Sequence, residues 1–157
     1  MIQLNSAIPA GQLSELKDGE MITHNTAELF ANKKVVLFAV PGAFTPTCSI
    51  THLPGYVTFA DELQAKGVDE IICLAVNDAF VMSAWGKAQN AEHLKMLADG
   101  NGAFTKALGL EMDTDSFGGL RSQRYAMVID NGFVTVLNIE AAGEFEVSKA
   151  EAILAAL

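Results

Sequence analysis

Cysteine and arginine are both scarce in this chain, with two of each in 157 residues. Two cysteines, Cys48 and Cys73, do not make a disulfide framework. Together with three scattered histidines they do not compose the four-ligand pattern of structural zinc, so no metal site is expected. No apolar run approaches the roughly 20 residues that cross a bilayer. The opening residues Met1-Ile2-Gln3-Leu4-Asn5 lack the basic stretch and apolar core of a secretory leader, and a cytoplasmic location is expected. Ten basic residues stand against nineteen acidic ones, for a net charge of −9. Nothing gathers into a basic stripe, which argues against nucleic acid and anionic membranes as partners. With half of its residues hydrophobic and only 18% charged, the chain is not disordered. No linker, repeat or low-complexity segment interrupts it, and a single domain over residues 1–157 is expected.

What is present alternates between strand and helix signals. Leu13 and Leu16, the Asp18-Gly19 turn and Met21-Ile22-Thr23 predict a hairpin between Gln12 and His24. Val35 to Val40 is an unbroken apolar run, as expected of a strand buried on both faces. From Cys48 the residues Ile50, Leu53, Val57, Ala60 and Leu63 recur at helical spacing as far as Lys66-Gly67, and Pro54-Gly55 inside that pattern predicts a kink. Ile71 to Val76 predicts a second buried strand, followed by a helix over Ala79 to Gln89, a strand over Leu94 to Ala98 and a short helix over Phe104 to Leu108. Asn131-Gly132 between two β-rich runs is the clearest hairpin. Ser148-Lys149-Ala150-Glu151 has the form of a capping box for a final helix. The order predicts an α/β fold around a mixed sheet.

The chemistry centres on Pro41-Gly42-Ala43-Phe44-Thr45-Pro46-Thr47-Cys48. A buried strand feeds a stiff loop, in which Gly42 supplies a backbone conformation that other residues resist, and the loop delivers Cys48 to the first turn of a helix. N–H groups and the macrodipole at such a terminus favour a thiolate. The Thr45 hydroxyl can cap this helix or serve a ligand. Arg124, at a loop-to-strand boundary, can hold the thiolate charged and bind an oxygen ligand. Arg121, three positions earlier, can share or take that role. His52, at i+4 from Cys48, is either the base of a Cys–His hydrolase pair or a residue that fixes the kinked helix. Cys73, in the middle of an apolar strand, reads as an inert core thiol. Trp85 and the methionines read as packing.

Pro41-x-x-x-Thr45-x-x-Cys48 resembles the active-site signature of the peroxiredoxins, and the fuller run through Ser49 resembles their five-type, or type II, subfamily. His52-Leu53-Pro54-Gly55, Trp85-Gly86, Arg124-Tyr125-Ala126-Met127-Val128 and Gly143-x-Phe145-x-Val147-Ser148 extend the resemblance over nearly the whole chain. It implies a thioredoxin-like fold and reduction of hydrogen peroxide and alkyl hydroperoxides without a cofactor. By position, Cys48 would be the peroxidatic cysteine, Thr45 and Arg124 its polar partners and Pro41 a shield. The backbone N–H groups of Thr47 and Cys48 join Thr45 and Arg124 as candidate donors to substrate. Some five-type members carry a resolving cysteine near the C-terminus; the corresponding stretch here, Gly143 to Lys149, has none. The expected reductant is therefore external, glutathione with glutaredoxin first and thioredoxin second. The resemblance also implies a homodimer, to which the Phe44 and Phe80–Trp85 regions would contribute. A Cys48–His52 hydrolase and a non-enzymatic redox sensor are the alternatives.

Overall fold

The alternation of strand and helix signals becomes a seven-stranded sheet with helices on both faces. The computed structural model describes residues 1–157. The strands are β1 (Gln12–Lys17), β2 (Glu20–Asn25), β3 (Lys34–Ala39), β4 (Glu70–Ala75), β5 (Lys95–Ala98), β6 (Glu111–Asp113), β7 (Leu120–Ser122), β8 (Tyr125–Asp130) and β9 (Phe133–Ile139). The helices are α1 (Thr26–Leu29), α2 (Leu53–Ala65), α3 (Ala79–Ala88), α4 (Ala103–Leu108) and α5 (Ala150–Ala156). The main sheet runs β2-β1-β5-β4-β3-β8-β9, while β6 and β7 form a separate two-stranded ribbon. β3, β4 and β5 are mutually parallel, and β8 lies antiparallel to β3. This is the mixed α/β architecture that the sequence predicts.

The unbroken apolar strands are explained by burial on both faces. Val36 and Phe38 of β3, Cys73 and Ala75 of β4, and Ala126 and Val128 of β8 pack against α2, α3 and α5. Their alternates Val35, Leu37, Ile72, Leu74, Tyr125 and Met127 pack against Leu29, Phe30, Phe104 and Leu108 on the other side. The two-residue strand period thus assigns each side chain to a layer. Asp18-Gly19 and Asn131-Gly132 both have positive φ at their two central residues (52° and 80°, 48° and 83°), the geometry that suits a two-residue hairpin loop.

Register is what positions the site. Ala39, the last residue of β3, pairs with Tyr125, the first of β8. An antiparallel neighbour begins where β3 ends, so Arg124 is delivered to the carboxyl end of β3, where the Pro41–Cys48 loop emerges. In the β8–β9 hairpin a one-residue bulge falls at Val128/Ile129, so that Tyr125 pairs with Ile139 and Glu140 comes level with Arg124.

Three expectations are corrected. The irregularity in the helix from Cys48 does not fall at Pro54-Gly55, through which α2 runs unbroken. Instead a π-helical turn spans Cys48–His52, with the Leu53 N–H donating to the Cys48 carbonyl, and α2 then starts with Pro54 in its first turn. Proline lacks an N–H, and it is tolerated where a helix begins again, so the irregularity falls ahead of it rather than at it. Ser148 does not cap α5: Lys149 occupies the N-cap without a side-chain bond, and the Ser148 hydroxyl donates to Glu140 instead. Gly42 does not adopt the left-handed backbone; that residue is Phe44, with φ 65°. Gly42 is needed for space, since a Cβ there would lie 3.1 Å from Thr45 Cγ2 and 3.3 Å from Arg121 Nη1. The β6–β7 ribbon was not expected, because three-residue strands show no usable period.

Candidate active site

Cys48 is fully buried on the α2 side of the sheet. Its helical turn opens with the Ser49 N–H donating to the Thr45 carbonyl at 2.9 Å, which leaves the Thr47 and Cys48 N–H groups ahead of it as free donors of a first turn. Arg124 has the same strand parity as Ala126 and Val128, so its side chain points into the layer that contains Cys48. Its Nη2 donates to Cys48 Sγ at 3.1 Å. A guanidinium in that position stabilises sulfur most when the sulfur is ionised. Neither arginine forms an ion pair with a carboxylate; the ion pairs of this acidic chain use Lys33, Lys95, Lys149 and His24.

The second arm of the guanidinium is also committed. Nη1 donates to His52 Nδ1 at 2.8 Å, and His52 Nε2 lies 3.1 Å from the Ser148 carbonyl oxygen. Arginine can only donate and a carbonyl can only accept, so the ring carries its proton on Nε2 and is neutral. Burial first, and the Arg124 charge second, push its pKa down to about 3. The ring is enclosed by Phe38 and Phe145, each 5.0 Å away between centroids, and by Tyr56 at 5.7 Å. The His52 lone pair that a hydrolase would use as base is thus bound to Arg124 and not to the thiol. His52 fixes the helix turn and the guanidinium, as one of the two sequence readings has it.

Thr45 does not cap the helix. Its hydroxyl donates to the Gly42 carbonyl at 2.6 Å, so the proton is spent on the loop and the oxygen lone pairs are left to accept. Arg121 does not reach Cys48: its Nε donates to the Gly118 carbonyl at 3.2 Å and its guanidinium packs over Gly42. Ala43 N–H donates to Asn77 Oδ1 at 3.0 Å, and the Trp85 indole donates to Ser49 Oγ at 3.0 Å, which ties the loop and the turn to α3. A recess of about 440 Å³ opens beside the guanidinium, walled by Pro41, Thr47, Gln123, Arg124 and the Ala141–Phe145 loop.

The chain matches the Redoxin family over residues 3–154. It is 51% identical to peroxiredoxin-2D of Arabidopsis thaliana, over 99% of this chain and 98% of that one. Its fold superposes on the reduced Prx3 of Vibrio vulnificus, solved in complex with hydrogen peroxide, with a TM-score of 0.98, 67% identity and 99% of each chain covered. Peroxiredoxin 5 of Alvinella pompejana superposes with a TM-score of 0.85 at 36% identity, over 99% of this chain and 97% of that one.

The chain is a peroxiredoxin. It belongs to the type II branch, has the thioredoxin-like fold of the family, and carries the family's thiol peroxidase activity. The peroxiredoxin signature residues Pro41, Thr45, Thr47 and Cys48 come from one loop and helix turn, and the fold brings Arg124 to them from 76 residues away. Cys73 lies in β4 opposite Phe38, fully buried in the same layer as Cys48, and burial first and the Cys48 charge second push its thiol pKa well up. Sequence reasoning missed Glu140, whose carboxylate secures the loop behind His52. A lone glutamate after a strand has no local signature, and only the bulge that sets its register reveals it.

Proposed function

We propose that this peroxiredoxin works with Cys48 alone and is recycled by an external thiol, glutathione with glutaredoxin before thioredoxin. The observation that carries the reading is the 3.1 Å contact from Arg124 Nη2 to Cys48 Sγ, set against a second cysteine sealed inside the sheet. The thiolate of Cys48 attacks one peroxide oxygen in line with the O–O bond. That bond breaks, and the electron pair leaves on the second oxygen. Arg124 and the Thr47 and Cys48 N–H groups face the developing charge and stabilise the transition state more than the ground state. The Thr45 oxygen accepts from the peroxide hydroxyl and orients it. A proton on the leaving oxygen completes water, or an alcohol from an alkyl hydroperoxide, and Cys48 is left as sulfenic acid. Pro41, on the wall of the recess, limits water at the sulfur. The Vibrio vulnificus relative solved with hydrogen peroxide supports that substrate.

Resolution needs a second thiol. Glutathione condenses with the sulfenic acid to a mixed disulfide and water, and a further thiol releases Cys48. A disulfide requires Cα atoms within about 7 Å, and Cys73 is fixed in the middle of β4, fully buried with its thiol held protonated. Cys73→Ser should therefore keep most of the turnover with glutathione and glutaredoxin. Loss of most of that turnover would sink the one-cysteine cycle. The same assay, run across thiol reductants, excludes a stoichiometric redox sensor if peroxide consumption exceeds one equivalent per chain. A glutathione-rich cytoplasm is the compartment that fits this cycle.

The active form on this reading is a homodimer. Phe44, 56% exposed, and Phe80, 64% exposed, sit on the loop and on α3 beside the site, and Ile50 on the π-turn is 72% exposed. Trp85 itself is buried and supports this face through Phe44, 6.4 Å away between ring centroids. Sedimentation at micromolar concentration should give twice the 16.7 kDa chain mass; a monomer would contradict the dimer.

A further inference from the structure

Glu140 lies level with Arg124 in the β8–β9 hairpin, and its N–H donates to the Arg124 carbonyl at 3.0 Å. The two side chains nevertheless form no ion pair. One carboxylate oxygen, Oε2, accepts four other hydrogen bonds: from the N–H groups of Glu146 (2.8 Å), Val147 (2.9 Å) and Ser148 (2.8 Å), and from the Ser148 hydroxyl (2.7 Å). The residue is 8% exposed. Burial works to raise its pKa, but these donors, Ser148 foremost, outweigh it and hold the carboxyl below its ordinary range.

This carboxylate folds residues 141–148 back onto the end of β9. The closed loop presents two groups to the site. The Ser148 carbonyl accepts from His52 Nε2 and, at 2.7 Å, from the Tyr56 hydroxyl. The Phe145 ring lies 5.0 Å from the His52 ring and 5.9 Å from Arg124 Cζ. Both contacts bear on the guanidinium: the first by fixing the His52 tautomer that accepts from Arg124 Nη1, the second by covering the guanidinium from one side. Without the anchor, Arg124 would keep its charge but lose its aim.

We propose that Glu140 is a positioning residue for peroxide reduction: it pins the 141–148 loop so that Ser148 and Phe145 hold His52 and Arg124 on Cys48. It touches no reacting atom. The inference rests on Cys48 and Arg124 carrying the reaction, and it is tested by rapid-mixing, single-turnover oxidation of the pre-reduced protein with hydrogen peroxide, which needs no reductant. Misplacing a transition-state donor by about 1 Å costs about 100-fold, and Glu140→Ala should slow Cys48 oxidation by about 10–100-fold. Glu140→Gln keeps an acceptor oxygen in place and should restore most of the rate. In an Arg124→Ala background, Glu140→Ala should cost little more, because the residue it serves is gone. Three results would overturn the proposal: an unchanged rate in folded Glu140→Ala, a Gln variant as slow as Ala, or a full further loss in the Arg124→Ala background. If Glu140→Ala does not fold, Glu140→Asp, which draws the carboxylate back from the Glu146, Val147 and Ser148 N–H groups, takes its place: a slowed rate that vanishes in the Arg124→Ala background supports the proposal, and an unchanged rate overturns it. Loss of rate in Glu140→Ala with no effect of Arg124→Ala would instead indict the site assignment itself.

Discussion

Cys48→Ser should abolish peroxide reduction while leaving the fold intact. A serine hydroxyl has nearly the shape of the thiol but offers no ionised nucleophile near neutral pH, and the first bond of the cycle is made by sulfur. No other group can take over. Cys73 is the only other sulfur nucleophile; it is fully buried in β4, and its thiol is held in the protonated form by desolvation. Peroxide consumption with glutathione and glutaredoxin, and separately with thioredoxin, should fall to the rate without protein. Residual turnover above that background would mean that the reacting sulfur has been misassigned.

Arg124→Ala has the next largest expected effect. In the proposed cycle the guanidinium serves twice, by stabilising the Cys48 thiolate and by meeting the charge that grows on the leaving oxygen. Removing one preorganised donor of this kind costs about 10²–10³ in rate, or about 2.7–4 kcal/mol. The loss should appear in kcat/KM for peroxide, since both roles precede or coincide with O–O cleavage. Arg124→Lys should recover only part of it. A lysine has one charged head and cannot donate to Cys48 and His52 together through a planar fork. An alanine variant within a few-fold of the parent would remove Arg124 from the reaction.

The half of the candidate site that holds Cys48 is legible because it is local. A buried strand, two prolines and a cysteine within one loop define Pro41, Thr45, Thr47 and Cys48 with no need of tertiary structure. Arg124 is half legible. Its place at the start of a strand can be read, but its meeting with Cys48 depends on β8 lying antiparallel to β3 in the register that pairs Ala39 with Tyr125. Glu140 is not legible at all. Its position depends on a bulge between Val128 and Ile129, and a hairpin sequence alone does not disclose an inserted residue; without it Glu140 would fall one register away and face the other layer. Ser148 shows the opposite error. The capping-box spacing is real, but α5 starts one residue late for it, with Lys149 at the N-cap, and the Ser148 hydroxyl donates to Glu140 just past β9. Pro54 likewise signals a helix irregularity, and what the sequence leaves open is that a π-turn ahead of it absorbs the change.

The central claim, that a single thiolate at Cys48 is oxidised by peroxide and then resolved from outside, is tested most directly by mass spectrometry. The reduced protein is treated with one equivalent of hydrogen peroxide, trapped with a sulfenic acid reagent and digested. One reagent adduct, confined to the peptide that contains Cys48, with Cys73 recovered as free thiol, is the expected result. Trapped sulfenic acid on Cys73, or a disulfide between Cys48 and Cys73, would contradict it.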